Sequence, residues 1–235
     1  MKKYLLLILV MIFTTSIQSQ ILISLIFGDK LNSPGIEFGL EGGLNFSSIS
    51  GFESKNMLQT FGLGFYFDIR LKNQISLSTG VLVKSTYGIN KLTDNDLKTL
   101  DADTYTGDGT YRMRLSYFMV PILIRYKLKN NFYIEAGPQA GLMYKSFVEY
   151  NDSPDDKEVH IREFNKDKIN KIDIGAMGGI GYILRKGTGM TIGIKYYYGF
   201  VDVVKNVSGT KNNSLFLKVN IPIGRGKVDP VIETR

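Results

Sequence analysis

Hydrophobic and polar residues alternate along residues 59–71, which read QTFGLGFYFDIRL. From Phe61 to Leu71 every odd position carries an apolar side chain, and the even positions carry glycine or polar side chains, including the charged Asp68 and Arg70. Successive side chains of a β-strand point to opposite faces, so this period of two predicts a strand with one oily face and one polar face. The fold then depends on what surrounds the oily face.

The same alternation recurs between turn residues in seven further segments, which predicts eight strands in all. The eight segments are 35–47, 59–71, 74–87, 114–128, 132–145, 171–184, 189–202 and 213–223. Their connections alternate between short links (72–73, 129–131, 185–188) and long ones (48–58, 88–113, 146–170, 203–212). Short periplasmic turns and long external loops are typical of outer-membrane barrels. We therefore predict an all-β fold: an eight-stranded antiparallel transmembrane up-and-down β-barrel with short periplasmic turns and long extracellular loops.

The composition is compatible with this interpretation, although its average resembles that of a soluble protein. Mean hydropathy is −0.04, because the average over an alternating sequence hides the period of two. Twelve of the 25 glycines lie on the charged faces of the predicted strands. An eight-stranded barrel is just wide enough for side chains to fill it, so glycines would leave room for long Lys and Arg side chains. A soluble lipocalin-like barrel or sandwich, with the oily faces inward, remains the alternative.

The N-terminus predicts export. Residues 1–20, MKKYLLLILVMIFTTSIQSQ, have the basic start, apolar centre and small polar end of a cleavable signal peptide. The apolar run is shorter than the roughly 20 residues that a membrane-spanning helix requires. We predict a signal peptide over 1–19, a periplasmic segment over 20–34, the barrel domain over 35–223 and a periplasmic tail over 224–235. The predicted location is the outer membrane, as an integral protein in contact with lipid.

Aromatic side chains on the oily faces fall near the two ends of the predicted strands. Two such girdles are expected where a barrel wall crosses the two membrane interfaces. The predicted lower girdle contains Tyr126, Phe132 and Tyr182. The predicted upper girdle contains Phe46, Phe61, Tyr87, Tyr144, Tyr198 and Phe200.

Charged side chains on the polar faces are the candidate functional residues. Unpaired charges in a narrow lumen cost several kcal/mol each, so we expect acids and bases to pair there. A closed salt-bridge network therefore explains them better than a conducting pore, and a small-solute porin is the alternative. The predicted network consists of Glu41, Asp68, Lys84, Arg125, Glu135, Asp173, Lys195 and Lys218.

Other chemistry finds little support in the sequence. There is no Cys, and the lone His160 lies in an acidic and basic loop segment without a nucleophile pattern, so we predict no enzyme. Asp101, Asp103 and Asp108 lie near a glycine turn but lack EF-hand spacing, which favours a hydrated acidic loop over a calcium site. The formal charge of +7 is scattered along the strands, so we expect no nucleic-acid partner. The sequence has no phosphate-loop or zinc-binding pattern, so we expect no cofactor.

One stretch resembles a known family. Residues 117–145, YFMVPILIRYKLKNNFYIEAGPQAGLMYK, are similar to the PorT-like outer-membrane β-barrel proteins of Bacteroidetes-type bacteria. GLEGGLNFS at 39–47, YYYGFVDV at 196–203 and the leader ending near Ser19 and Gln20 add to the resemblance, which covers roughly 36–223. It implies an outer-membrane location and, for some members, a part in protein secretion linked to gliding or protease export. Envelope or secretion-system proteins are therefore the expected partners.

The chain departs from that family at two places. Met119 stands where relatives often carry an acid before the mid-strand proline, Pro121. The chain also continues with GRGKVDPVIETR after the last strand, where relatives stop on an aromatic residue. Pro121 itself removes one hydrogen bond from the ladder, which a local bulge would absorb.

Overall fold

The computed structural model describes residues 33, 35–152, 158–184 and 189–223. The predicted signal peptide, nearly all of the predicted 20–34 segment and the tail over 224–235 lie outside these residues. The described residues contain one α-helix, α1 (Asp94–Leu100), and nine strands. Those strands are β1 (Ile36–Ile49), β2 (Asn56–Lys72), β3 (Ile75–Asn90), β4 (Thr110–Lys127), β5 (Phe132–Asp152), β6 (Val159–Phe164), β7 (Ile172–Ile183), β8 (Thr191–Asp202) and β9 (Lys211–Pro222). Within the described ranges, no helix has the length and apolar character needed to span a bilayer.

Eight of the strands close into an antiparallel ring, as the sequence predicted. β1 to β5 pair in chain order, β5 pairs with β7, and β7, β8 and β9 follow in order. β9 pairs back with β1 over Gly39–Ile49, and the Ile223 N–H donates to the Phe38 carbonyl at 3.0 Å. A closed ring leaves no unpaired edge, which is the condition for a sheet to cross lipid.

The two faces of the ring differ as the alternation indicates. In β2, Phe61 is 49 % exposed on the outer surface, whereas Tyr66 and Asp68 are 2 % and 7 % exposed inside. The outer surface carries a band of exposed apolar side chains from every strand of the ring, including Ile122 and Ile180. The oily side of the opening stretch therefore points away from the barrel axis.

A bulge in β3 reverses part of this prediction. Lys84 pairs with Leu63 but Leu82 already pairs with the next residue, Gly64, so β3 has one extra residue against β2. Before this extra residue the even-numbered side chains of β3 face the lumen, and after it the odd-numbered side chains do. Tyr87 is consequently buried and Lys84 is exposed on the outside. The predictions that Lys84 faces the lumen and that Tyr87 belongs to the upper girdle are wrong.

The strands rise well beyond the apolar band at the end with the long connections. β5 has 21 residues, about twice the roughly 9–11 that cross a bilayer. Its upper part pairs with β4 on one side and with β6 on the other, so parts of the predicted loops 88–113 and 146–170 are strands. We call this three-stranded upper sheet, residues 110–116, 145–152 and 159–164, the β4–β5–β6 extension.

Helix α1 covers the same end of the barrel. Thr93 caps it in a capping box with Asp96, and Leu97 and Leu100 are buried beneath it. The buried Asp96 carboxylate accepts three backbone N–H groups, from Glu53 at 2.7 Å, Ser54 at 3.1 Å and Thr93 at 3.0 Å. Asp96 thus ties α1 to the β1–β2 connection.

Candidate functional site

The lumen holds a buried cluster of six ionic side chains, at the half of the barrel with the short turns. Arg125, a residue of β4, lies at one side of this cluster. Its Nη1 is 2.7 Å from Asp68 Oδ2 and its Nη2 is 2.8 Å from Glu135 Oε2. The Arg125 Nη2 also donates to Ser78 Oγ at 2.9 Å, so the planar guanidinium binds groups from three strands.

The cluster continues through Glu135 across the lumen. Lys218 Nζ is 2.6 Å from Glu135 Oε1 and 3.5 Å from Glu41 Oε2. Lys195 Nζ is 2.5 Å from Glu41 Oε1. We call the six residues the lumen cluster: Glu41, Asp68, Arg125, Glu135, Lys195 and Lys218. The lumen cluster contains three acids and three bases, so its net charge is zero. This pairing offsets the desolvation cost of burying ions in a poorly hydrated interior.

Aromatic rings and glycines fit around the cluster. The Arg125 guanidinium lies over the Tyr133 ring at 4.4 Å, and Lys195 Nζ lies 5.5 Å from the Phe216 ring centre. A Cβ on Gly179 would come within 2.9 Å of the Lys195 side chain. A glycine there leaves the room that the long side chain occupies.

Two of the eight predicted network residues lie elsewhere. Lys84 is on the outer surface because of the β3 bulge. Asp173 is buried in the lumen, but it accepts from Asn212 Nδ2 at 2.8 Å and has no ion pair with the lumen cluster. Its strand, β7, begins at the end with the long connections, so Asp173 lies at a different height from Glu135 and Lys218.

Above the lumen cluster the barrel is filled by apolar and aromatic side chains, which sequence reasoning missed. Tyr87 packs against Tyr117 and Tyr197, with ring centres 5.7 Å and 5.8 Å apart. We call the buried group the lumen plug; its members include Tyr87, Tyr117, Tyr197, Ile89, Met113, Leu115, Met119 and Met143, and Leu97 and Leu100 of α1 belong to the same core. Tyr117 and Met119 at polar-face positions were the available signal for a filled interior.

The acidic loop residues make other contacts. Lys168 Nζ is 2.9 Å from Asp101, and this hydrogen bond holds the pKa of the Asp101 carboxyl below its ordinary value. The Asp103 backbone N–H donates to Glu163 Oε2 at 2.8 Å. Among the described residues no group of three or more carboxylates and histidines is arranged to hold a metal ion.

A closed eight-stranded ring, apolar outside and ionic inside, is the architecture of a small outer-membrane barrel. The chain belongs to the family described as "Outer membrane protein beta-barrel domain", which matches residues 27–205. Membership in this family places the protein in the outer membrane, in contact with its lipid. No curated protein matches the chain.

Several solved outer-membrane proteins have a similar backbone. Ail, the attachment invasion locus protein of Yersinia pestis, solved with the heparin analogue sucrose octasulfate, is 10 % identical with a TM-score of 0.44, covering 80 % of this chain and 99 % of Ail. Neisserial surface protein A is 10 % identical with a TM-score of 0.41, covering 80 % and 98 %. OprG from Pseudomonas aeruginosa is 10 % identical with a TM-score of 0.33, covering 80 % and 93 %. These similarities are too distant to indicate an activity.

Proposed function

We propose that this protein is a non-enzymatic outer-membrane barrel with a sealed lumen, acting as a structural or accessory component of the envelope. Its contacts with other molecules would then be made by the external surface and the long connections. Transport of small solutes through the barrel is the competing function.

The observation that carries this proposal is the pair of layers that fill the lumen. The lumen cluster joins six strands, β1, β2, β4, β5, β8 and β9. The lumen plug lies above it. A hydrated solute would have to separate buried ion pairs, at several kcal/mol for each charge left unpaired, and also displace packed aromatic rings.

An accessory role in the envelope or in protein secretion is supported by the resemblance to PorT-like proteins over roughly 36–223. The β4–β5–β6 extension and α1 add structured surface beyond the membrane band, where a protein partner would bind. We therefore favour this role over a passive structural one.

Planar-bilayer recording tests the sealed lumen. The folded, full-length mature protein should insert without producing a stable conductance step, while an open porin reconstituted in parallel calibrates the sensitivity. Gel mobility without boiling should verify that the inserted chains are folded. A reproducible large conductance from the folded barrel would contradict the proposal and favour the porin alternative.

A further inference from the structure

Three arginines surround one glutamate on the outer face of the β4–β5–β6 extension. Arg112 and Arg114 come from β4, Glu149 from β5 and Arg162 from β6. Arg112 pairs with Glu149 across one ladder and Glu149 pairs with Arg162 across the next, so the side chains share one face. They line an open depression of about 560 Å³ together with Asn151 and His160. We call these six residues the arginine site.

Glu149 holds the three guanidinium groups in place. Arg162 Nε donates to Glu149 Oε1 at 2.8 Å, and Arg112 and Arg114 lie 3.7 Å and 3.6 Å from Glu149 Oε2. Burial opposes ionisation of this carboxyl, but the Arg162 hydrogen bond and the three positive charges outweigh it and lower its pKa. Glu149 therefore stays ionised and fixes the arginines near one another.

The site retains a net positive charge and free donors. Three guanidinium groups against one carboxylate leave a charge of about +2, and each guanidinium has five N–H donors in a rigid fork. The Glu149 side chain is only 5 % exposed, whereas those of Arg112, Arg114 and Arg162 are 32 %, 31 % and 50 % exposed. The carboxylate is at the bottom of the depression, and the guanidinium groups face the opening.

Two neighbours complete the arginine site. With its amide oriented to satisfy both contacts, Asn151 donates to His160 Nδ1 and accepts from Arg112 Nε at 3.1 Å. His160 Nε2 lies 3.3 Å from Glu158, at the exposed margin. The Asn151 contact thus gives Arg112 a second partner besides Glu149.

The outer row of β4 shows where the site lies relative to the membrane. It is apolar from Tyr126 up to Phe118, and Ser116, Arg114 and Arg112 follow. Phe118 packs against Tyr144 of the predicted upper girdle, with ring centres 4.7 Å apart. Arg114 is four residues above Phe118, about 14 Å along the strand and, with barrel tilt, about 10 Å above it. The arginines are therefore at the level of lipid head groups.

The surface beside Arg114 is also suited to lipid, because Phe147 of β5 pairs with Arg114 and Phe164 of β6 pairs with Phe147. Phe164 is 65 % exposed, and Lys145 Nζ lies 5.2 Å from the Phe147 ring centre and 5.6 Å from the Phe164 ring centre. Exposed apolar surface with a cation beside it matches an acyl chain and its anionic head group.

We propose that the arginine site binds a phosphate of an anionic outer-leaflet lipid, such as a phosphorylated glycolipid. Arginine forks bind phosphate oxygens in pairs, and clusters of arginines recognise phosphate groups. The lipid would hold the β4–β5–β6 extension against the membrane surface. This proposal does not depend on whether the lumen is sealed.

The test measures binding of diphosphorylated lipid A, its dephosphorylated form and inorganic phosphate to the folded protein in a neutral detergent. The double variant Arg112→Gln/Arg114→Gln removes two charges and leaves the Arg162–Glu149 pair intact. Arg70→Gln/Lys129→Gln is the matched control, since both residues are exposed at the opposite end of the barrel. We expect the Arg112→Gln/Arg114→Gln variant to bind the phosphorylated lipid about ten- to a hundredfold more weakly, and the control to bind it like the unchanged protein.

Three results would overturn the proposal. The first is equal affinity of the Arg112→Gln/Arg114→Gln variant and the unchanged protein for the phosphorylated lipid. The second is equal binding of the phosphorylated and dephosphorylated lipids, which would show that the phosphate is not recognised. The third is inorganic phosphate binding as tightly as the lipid, which would assign the site to a free anion. Phosphate-dependent lipid binding that the variant loses and the control keeps supports it.

Discussion

Replacing Arg125 with methionine should destabilise the folded barrel by about 3–5 kcal/mol. Arg125 is 2 % exposed and is the ion-pair partner of Asp68 and one of the two partners of Glu135. Methionine fills a similar volume, so the main cost is a carboxylate left buried without a counter-charge. Equilibrium urea unfolding of the protein folded into lipid vesicles would measure the change.

Two further variants identify the cause of that loss. Lys84→Met removes a charge from the outer surface of β3 and should change the free energy of unfolding by less than about 0.5 kcal/mol. Adding Asp68→Asn to Arg125→Met removes the charge of the carboxylate that has lost its partner, and should recover part of the lost free energy of unfolding. If Arg125→Met is as mild as Lys84→Met, the lumen cluster does not contribute to stability as described.

Replacing Asp96 with asparagine should release α1 from the end of the barrel without unfolding the strands. The Asp96 carboxylate accepts three backbone N–H groups, whereas an amide offers one acceptor oxygen and loses the charge. Hydrogen bonds to a charged group contribute roughly 1.5–3 kcal/mol each. We expect amide hydrogen exchange in residues 93–100 to accelerate by about tenfold or more, since 1.4 kcal/mol corresponds to a factor of ten.

Asp94 provides the matched control for this experiment. It is exposed in the first turn of the same helix, so Asp94→Asn changes the charge without disturbing the buried contacts. It should leave exchange in residues 93–100 within about twofold, because a charge at an exposed helix end contributes only roughly 0.3–1 kcal/mol. Equal acceleration by the two variants would show that helix charge, and not the link to Glu53 and Ser54, holds α1.

The ring of eight strands could be predicted because lipid imposes a simple rule on every strand. Each residue of the wall faces either hydrocarbon or the lumen, so a period of two appears wherever the strand crosses the membrane. The β2 stretch from Phe61 to Leu71 shows it without a break. The alternation of short and long connections then indicated an up-and-down ring.

The rule fails where the lipid ends or where the ladder is irregular. Arg112 and Arg114 face outward in β4, and above the apolar band the outward row of this strand is polar, so it offers no oily face to detect. β6 has only six residues, VHIREF, too few to show a clear period of two. The β3 bulge is one inserted residue, and nothing in the local pattern around Lys84 distinguishes it from regular strand.

The candidate site could be predicted as a set of inward charges, but not as pairs. Glu41 and Lys195 are 154 positions apart in the chain, and their contact depends on how far the strands are staggered around the ring. Strand tilt also sets the height of each residue, which separates Asp173 from the cluster although it points inward. The lumen plug was not predicted because tyrosine and methionine occur on both the lipid-facing and the lumen-facing side of barrel strands.

The central claim is that apolar side chains point to lipid and ionic ones to the barrel axis, and tryptophan fluorescence tests it most directly. The chain has no Trp, and three consecutive tyrosines, Tyr196, Tyr197 and Tyr198, alternate in β8 between 51 %, 0 % and 46 % exposure. Single substitutions Tyr196→Trp, Tyr197→Trp and Tyr198→Trp would each be folded into vesicles of brominated-chain lipid. Strong quenching for Tyr196→Trp and Tyr198→Trp, with little for Tyr197→Trp, is the predicted result. Equal quenching of all three, or quenching of Tyr197→Trp alone, would contradict it.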